Sequence, residues 1–258
     1  MPLPIVSESG ATGLCAVGDE ILVARQAPDA SVMVLDARTL QLRMEVPLPN
    51  ARDAHSLVAW QGGLAVASTG TDEVVSYRYD GNGFTDPTVL WSVGDGDGDT
   101  LHVNALVVHD DALLGCAFGP RRSANDLWSD ARGGFVFDLV NRRVVLEDLG
   151  HPHSLVSLGD ALYLCESSRQ VFRSVSGPIA TLDGYTRGAA HLGGARMLIG
   201  TSVGRVKSRS SGRMLSPGDD GRPAGTCALH HVGLDGSVHE TISLANYGRE
   251  IYDVLPLS

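Results

Sequence analysis

Apolar runs of five to seven residues, rich in Val, Leu, Ile and aromatic side chains, recur along almost the whole chain, with Gly, Asp, Asn and Pro between them. Runs this short, bounded by turn residues, predict strands rather than helices. The clearest lie near Glu20–Arg25, Val32–Asp36, Leu42–Val46, His55–Trp60, Leu64–Ser68, Val74–Tyr79 and Thr88–Ser92. Asp80-Gly-Asn-Gly, between the last two, is a tight-turn sequence.

The runs share a register. A polar residue and a small residue twelve positions apart recur as Thr12 with Ala24, His55 with Ala67, Asn104 with Cys116 and His153 with Cys165. A fifth pair, Arg187 with Gly200, is one residue longer. Five units follow, at about 12–49, 53–93, 100–149, 150–183 and 184–244. Repeats of roughly 35–50 residues built of strands are the mark of a β-propeller. The expected fold is therefore all-β, a single propeller domain over residues 1–258 with five blades, six being the other count the spacing allows. A lone run at Ile251–Leu257 follows the fifth unit and is expected to join the N-terminal blade, because closure of that kind removes an exposed sheet edge.

In such a ring the first residues of the innermost strands lie near the centre. His55, Asn104, His153 and Arg187 are expected to converge at its mouth. Period-two alternation places His102 on the side of Asn104, and His151 stands in the same relation to His153. Glu166 follows Cys165 at the end of a neighbouring run. Glu250, Tyr252 and Asp253 enter the same region if the last run closes the ring. Imidazoles and a carboxylate supply acid/base chemistry, so His55, His153 and Glu166 are the expected catalytic groups. A guanidinium grips an anion at two points, so Arg187, with Asn104, Tyr252 and Glu250, is expected to bind substrate. His55, His102 and His153 are the ligand set considered for one divalent metal ion, although the charge of Arg187 opposes a metal beside it. Two long connections, Gly119 to Gly133 and Gly204 to Gly225, are expected to arch over this mouth.

Composition narrows the partners. Hydrophobic residues at 43% and charged residues at 19% fit a folded domain rather than a disordered chain. A net charge of −10 argues against nucleic acid, and no run reaches the ~18 apolar residues of a membrane helix. No basic, apolar leader is visible at the N-terminus, and the four cysteines show no Cys-x-x-Cys spacing. Cys116 and Cys165 occupy the small-residue column and read as packing residues. The expected setting is a reducing cytoplasm. Asp95-Gly-Asp-Gly-Asp lacks the Gly and Glu of a calcium loop and reads as solvated. His109, His191, His230, His231 and His239 receive no role.

Several of these segments carry a resemblance. His102-Val-Asn-Ala-Leu, Gly133-Gly-Phe-Val-Phe-Asp, His151-Pro-His-Ser-Leu, Gly184-Tyr-Thr-Arg-Gly and Glu250-Ile-Tyr-Asp-Val are similar, in order, to motifs of a family of bacterial propeller proteins known only as a conserved domain of unknown function. Asp53-Ala-His55 resembles the Asp-x-His element of that family. The resemblance implies a propeller with His55, His102, Asn104, His153, Thr186, Arg187 and Glu250 at motif positions. The chain departs from the pattern at Leu155, where the family has Pro, in the third-unit loop, and by about one blade at the N-terminus. A weaker likeness of architecture links it to gluconolactonase and regucalcin propellers, whose Glu, Asn and Asp metal ligands it does not reproduce.

Two functions follow as expectations. The first is a small-molecule enzyme of lyase, isomerase or hydrolase type, acting on an anionic substrate without a redox cofactor. The second is a non-catalytic ligand-binding or scaffold propeller using the same face.

Overall fold

The computed structural model describes residues 10–93, 98–121, 127–128, 131–203 and 225–257, and in them twenty strands form five four-stranded sheets. The first sheet runs in the order β1 (Ala11–Val17), β2 (Glu20–Arg25), β3 (Ser31–Asp36), β4 (Leu42–Pro47). The second is β5 (Ala54–Trp60), β6 (Gly63–Ser68), β7 (Glu73–Tyr79), β8 (Phe84–Ser92). The third contains β9 (Val103–His109), β10 (Ala112–Ala117), β11 (Gly134–Asp138) and β12 (Arg143–Leu149). The fourth is β13 (Pro152–Leu158), β14 (Ala161–Glu166), β15 (Val171–Ser174), β16 (Gly177–Thr181). The fifth is β17 (Tyr185–Gly193), β18 (Arg196–Ser202), β19 (Ala228–Gly233), β20 (Val238–Ser243). These are the five blades of a β-propeller.

Strand order explains the composition of each blade. The second and third strands are apolar and buried: Leu22, Val23, Val32 and Val34 are covered, as are Val66, Val74 and Val75. The fourth strands are mostly exposed, and β20 is exposed throughout. An outer strand needs only one buried face, so its sequence is polar. The same position explains why β8 begins four residues before the expected Thr88: Pro87 lacks an N–H, which an edge strand tolerates. The Asp80 turn forms as expected, with Asp80 Oδ1 accepting the N–H groups of Asn82 (2.8 Å) and Gly83 (3.0 Å).

The chain gathers into two compact units. One comprises Met1–Gly115, Asp138–Arg143 and Leu257–Ser258; the other comprises Cys116–Phe137 and Val144–Pro256. The first has its own core, in which Leu22, Val32 and Val34 pack with Leu64, Val66 and Val75. In the second, Cys165, Phe172, Met197, Ile199 and Val232 pack together. Fully burying each such side chain contributes roughly 1.5–3 kcal/mol.

The expected closure by the C-terminal run is not seen among the described residues. Residues 250–257 form no strand, and the first sheet already takes four strands from contiguous sequence, β1 included. Among the described residues every sheet already has four strands. The last run lies instead against β17 and β18, where Ile251 N–H donates to Ser202 Oγ (2.9 Å) and Val203 N–H donates to the Arg249 carbonyl (3.0 Å).

One buried histidine ties stability to pH. His230, on β19, lies between Thr201 Oγ1 on Nε2 and Thr241 Oγ1 on Nδ1, each at 3.0 Å. Burial pushes its pKa below the ordinary histidine value, with Asp183 opposing weakly. The unfolded chain therefore takes up a proton, below about pH 6.5, that the folded chain resists. Stability is expected to fall as pH drops from 7 toward 5, and a His230→Gln variant is expected to flatten that decline in thermal melts.

Candidate functional site

A β-bulge sits at the start of the first strand in each sheet whose pairing is described: between Ala11 and Leu14, Ala54 and Ser56, His153 and Val156, and Thr186 and Ala189. Thr12, His55, His153 and Arg187 all lie at these bulges. A bulge twists the strand and re-aims a side chain, which is why the polar residue of each repeat leaves the regular alternation. The small partner follows from the same geometry. His153 pairs directly with Cys165, and the Arg187 bulge lies opposite Gly200. The extra residue of the fifth pair is a second irregularity, between His191 and Gly193.

In the first unit, His55 is buried and its Nδ1 lies 2.8 Å from the carbonyl of Asp53. A carbonyl only accepts, so Nδ1 carries the proton and Nε2 carries the lone pair. Asp53 is left-handed (φ 54°), which turns its carbonyl toward the ring. His102 is also left-handed (φ 58°), and its Nδ1 lies 3.0 Å from Asp99 Oδ2. The His55 and His102 rings meet edge to face, with centroids 4.9 Å apart. Asn104, on β9, is buried, and its Nδ2 has no hydrogen-bond partner among the described residues.

In the second unit, His153 repeats the arrangement of His55. Its Nδ1 lies 3.0 Å from the carbonyl of His151, itself left-handed at φ 52°. It also lies 2.7 Å from Ser167 Oγ. The Ser167 hydroxyl donates to the Thr186 carbonyl. With its one proton spent there, Ser167 accepts from His153, and both contacts fix the proton on Nδ1. Phe118 stacks on His151 at 4.6 Å and meets His153 edge-on at 5.0 Å. Tyr185 meets His153 at 5.4 Å, and its hydroxyl lies 3.3 Å from His151 Nδ1.

Arg187 is 1% exposed. Its Nε donates to the Ile251 carbonyl (2.5 Å), its guanidinium lies 3.7 Å from the Tyr252 ring centroid, and its Nη2 stands 3.3 Å from Glu250 Oε2. That last contact is an ion pair by distance but is not aligned as a hydrogen bond, so Nη2 keeps an unmet donor. Arg187, Tyr252 and Glu250 are thus brought together, as expected, although through the docked C-terminal segment and not through a closing strand.

Glu166 has other partners. Both carboxylate oxygens are engaged, by Arg169 (2.5 Å) and Arg173 (2.8 Å), and the Gly150 N–H also donates to it. Burial pulls its pKa up, but Arg173, the Gly150 N–H and Arg169 outweigh it and hold the carboxyl below the ordinary range. A carboxylate so saturated and so acidic is a poor base.

Among the described residues no three His, Cys, Asp or Glu side chains gather to hold an ion. The Nδ1 atoms of His55 and His102 are engaged by the Asp53 carbonyl and Asp99, and the two rings meet edge to face instead of side by side. Cys116 and Cys165 are buried packing residues, as expected; burial pushes the Cys165 thiol up and leaves it unreactive. Most of the long connection after Gly204, and residues 122–126 of the other, lie outside the described residues, as do residues 94–97 of the acidic run.

Phe118, Tyr185, Ser167 and the two serines after the histidines escaped the sequence reading. Ser56 Oγ accepts the Leu106 N–H (3.2 Å) and Ser154 Oγ accepts the Gly188 N–H (2.7 Å), so each ties its strand to the first strand of the next sheet. The available signal was the tetrapeptide His-Ser-Leu-Val, present at 55–58 and again at 153–156.

Similar architectures occur among solved structures. A luciferin-regenerating enzyme matches with a TM-score of 0.66 at 10% identity, over 93% of this chain and 78% of that one. The nidogen/laminin complex matches at 0.63 and 12%, over 93% and 82%. A putative gluconolactonase matches at 0.57 and 13%, over 91% and 88%. Identities this low carry the fold alone. No curated protein sequence matches the chain. No helix among the described residues is long and apolar enough to cross a membrane. Residues 87–258 match the model of the Domain of unknown function (DUF4915), and the chain belongs to that family.

Proposed function

We propose that this protein is a small-molecule enzyme of the lyase, isomerase or hydrolase type, acting on an anionic substrate. The observation that carries the reading is the fixed tautomer of His153. Two contacts hold the proton on Nδ1 and leave Nε2 as a positioned base, walled by Phe118 and Tyr185. In this scheme Nε2 removes a proton from the substrate and returns it to the product or leaving group. Arg187 holds the anionic group, and Tyr252 keeps the guanidinium plane in place. His55 and Asn104 stand at the corresponding strand starts of the other unit. No step uses a metal or Glu166. The luciferin-regenerating enzyme and the putative gluconolactonase support small-molecule chemistry on this fold as analogy only. A cytoplasmic setting fits the cysteine spacing of the sequence.

The test is a panel of lactones, hydroxy acids, sugar acids and phosphate esters, scored first by thermal shift and then by product analysis. At least one anionic class is expected to raise Tm and to be converted. A panel without a single anionic binder would remove the reading.

One observation favours the non-catalytic function. Arg187 already has a carbonyl, an aromatic face and a carboxylate as partners, which is how a residue that anchors a chain segment looks. Binding without conversion across the panel would select that function.

A further inference from the structure

The C-terminal segment occupies a slot shaped for it. A Cβ at Gly200 would stand 2.8 Å from Ile251 Cγ2, and one at Gly188 would stand 2.9 Å from Val254 Cγ2. Two glycines therefore leave room for the side chains of Ile251 and Val254. The main chain of Ile251 is gripped at both ends: its N–H donates to Ser202 Oγ, and its carbonyl accepts from Ser202 Oγ (3.2 Å) and Arg187 Nε. This docking carries Glu250 to Arg187 and lays Tyr252 on the guanidinium. Yet the segment forms no strand. A buried guanidinium needs an anion, and here the anion comes from a segment that is not part of a sheet ladder.

We infer that Glu250 is an internal stand-in for the ligand, so that the Arg187 subsite takes a carboxylate and an incoming carboxylate displaces Glu250 together with the segment that carries it. The inference rests on the proposed anionic site and names the class of group it takes. Carboxylate is favoured over phosphate because one planar anion of that kind already fits beside Nη2, with Tyr252 covering one guanidinium face. Exchange needs no new charge in the site: one carboxylate leaves as another enters. The unmet Nη2 donor gives the incoming group a hydrogen bond that Glu250 does not make in this arrangement.

The experiment is chemical rescue in the full chain. Glu250→Ala leaves Arg187 without this carboxylate and is expected to lower Tm. Sodium formate is expected to restore Tm saturably, by about 5 °C more than sodium chloride of equal ionic strength. In the wild-type protein formate is expected to speed hydrogen exchange at the Ile251 and Val203 amides at least threefold, as the segment leaves. If Glu250→Ala fails to fold, Glu250→Gln, which keeps the shape and removes the charge, carries the same rescue test. Formate no better than chloride in the variant that folds overturns the inference, and so does rescue by phosphate at lower concentration than formate. These outcomes are independent of His153: rescue by formate with a silent His153 variant leaves a carboxylate subsite without catalysis, and the converse leaves the catalytic reading without this subsite.

Discussion

A His153→Gln variant is expected to lose turnover by about 10²–10⁴-fold, the usual contribution of a positioned acid/base group, while Tm moves by no more than a few degrees. Glutamine is the informative replacement. Its amide can still donate to the His151 carbonyl and to Ser167, so the two contacts that hold the ring survive in kind. What it loses is the ability to take up and release a proton. Alanine would remove about 1 kcal/mol for each net hydrogen bond and blur the comparison. Turnover of the converted compound and calorimetric Tm, measured on the same preparations, separate the two roles. Undiminished turnover beside a large drop in Tm would make His153 a structural residue and leave the site without its base.

Glu166 is expected to behave in the opposite way. Removing one partner of a buried ionic network strands the others, at a cost of about 3 kcal/mol. Arg173 is only 15% exposed in its side chain, so Glu166→Leu leaves a largely covered guanidinium unpaired, although the half-exposed Arg169 recovers much of its solvation. In a domain of this size that corresponds to a fall in Tm of about 9 °C. Ligand binding by the folded variant is expected to stay within about twofold of wild type, because the carboxylate is occupied by Gly150, Arg169 and Arg173. The pH dependence has a definite sign. The folded pKa lies below the unfolded value, so the stabilisation is present above about pH 4.5 and is lost as the pH falls through the folded pKa. Wild type and variant should converge in stability in acid. A variant that melts like wild type but no longer binds ligand would return Glu166 to the site.

The contrast between the two residues marks how far the sequence could be read. Both were expected to be catalytic, because both end or begin a strand in the repeat. Periodicity locates a residue along a strand; it does not say which partners wait for its side chain. Arg173 lies on the paired strand β15, and Arg169 sits in the 3-10 turn Ser167–Arg169. Neither separation is distinctive in a chain with many arginines. Ser167 escaped for the same reason: its hydroxyl matters only because β17 brings the Thr186 carbonyl beside it.

The repeat of polar and small residues by itself determined the fold class and put His55, Asn104, His153 and Arg187 at strand starts, while leaving the count at five or six blades, because strand alternation and turn chemistry are local and periodic. Only the tertiary structure decided which nitrogen of His55 and His153 holds the proton, that Glu166 belongs to an ionic network, and that the last run docks beside Arg187 without forming a strand. Those outcomes depend on hydrogen-bond partners supplied by distant parts of the chain. Such partners exist only after the sheets have formed, and no local pattern encodes them.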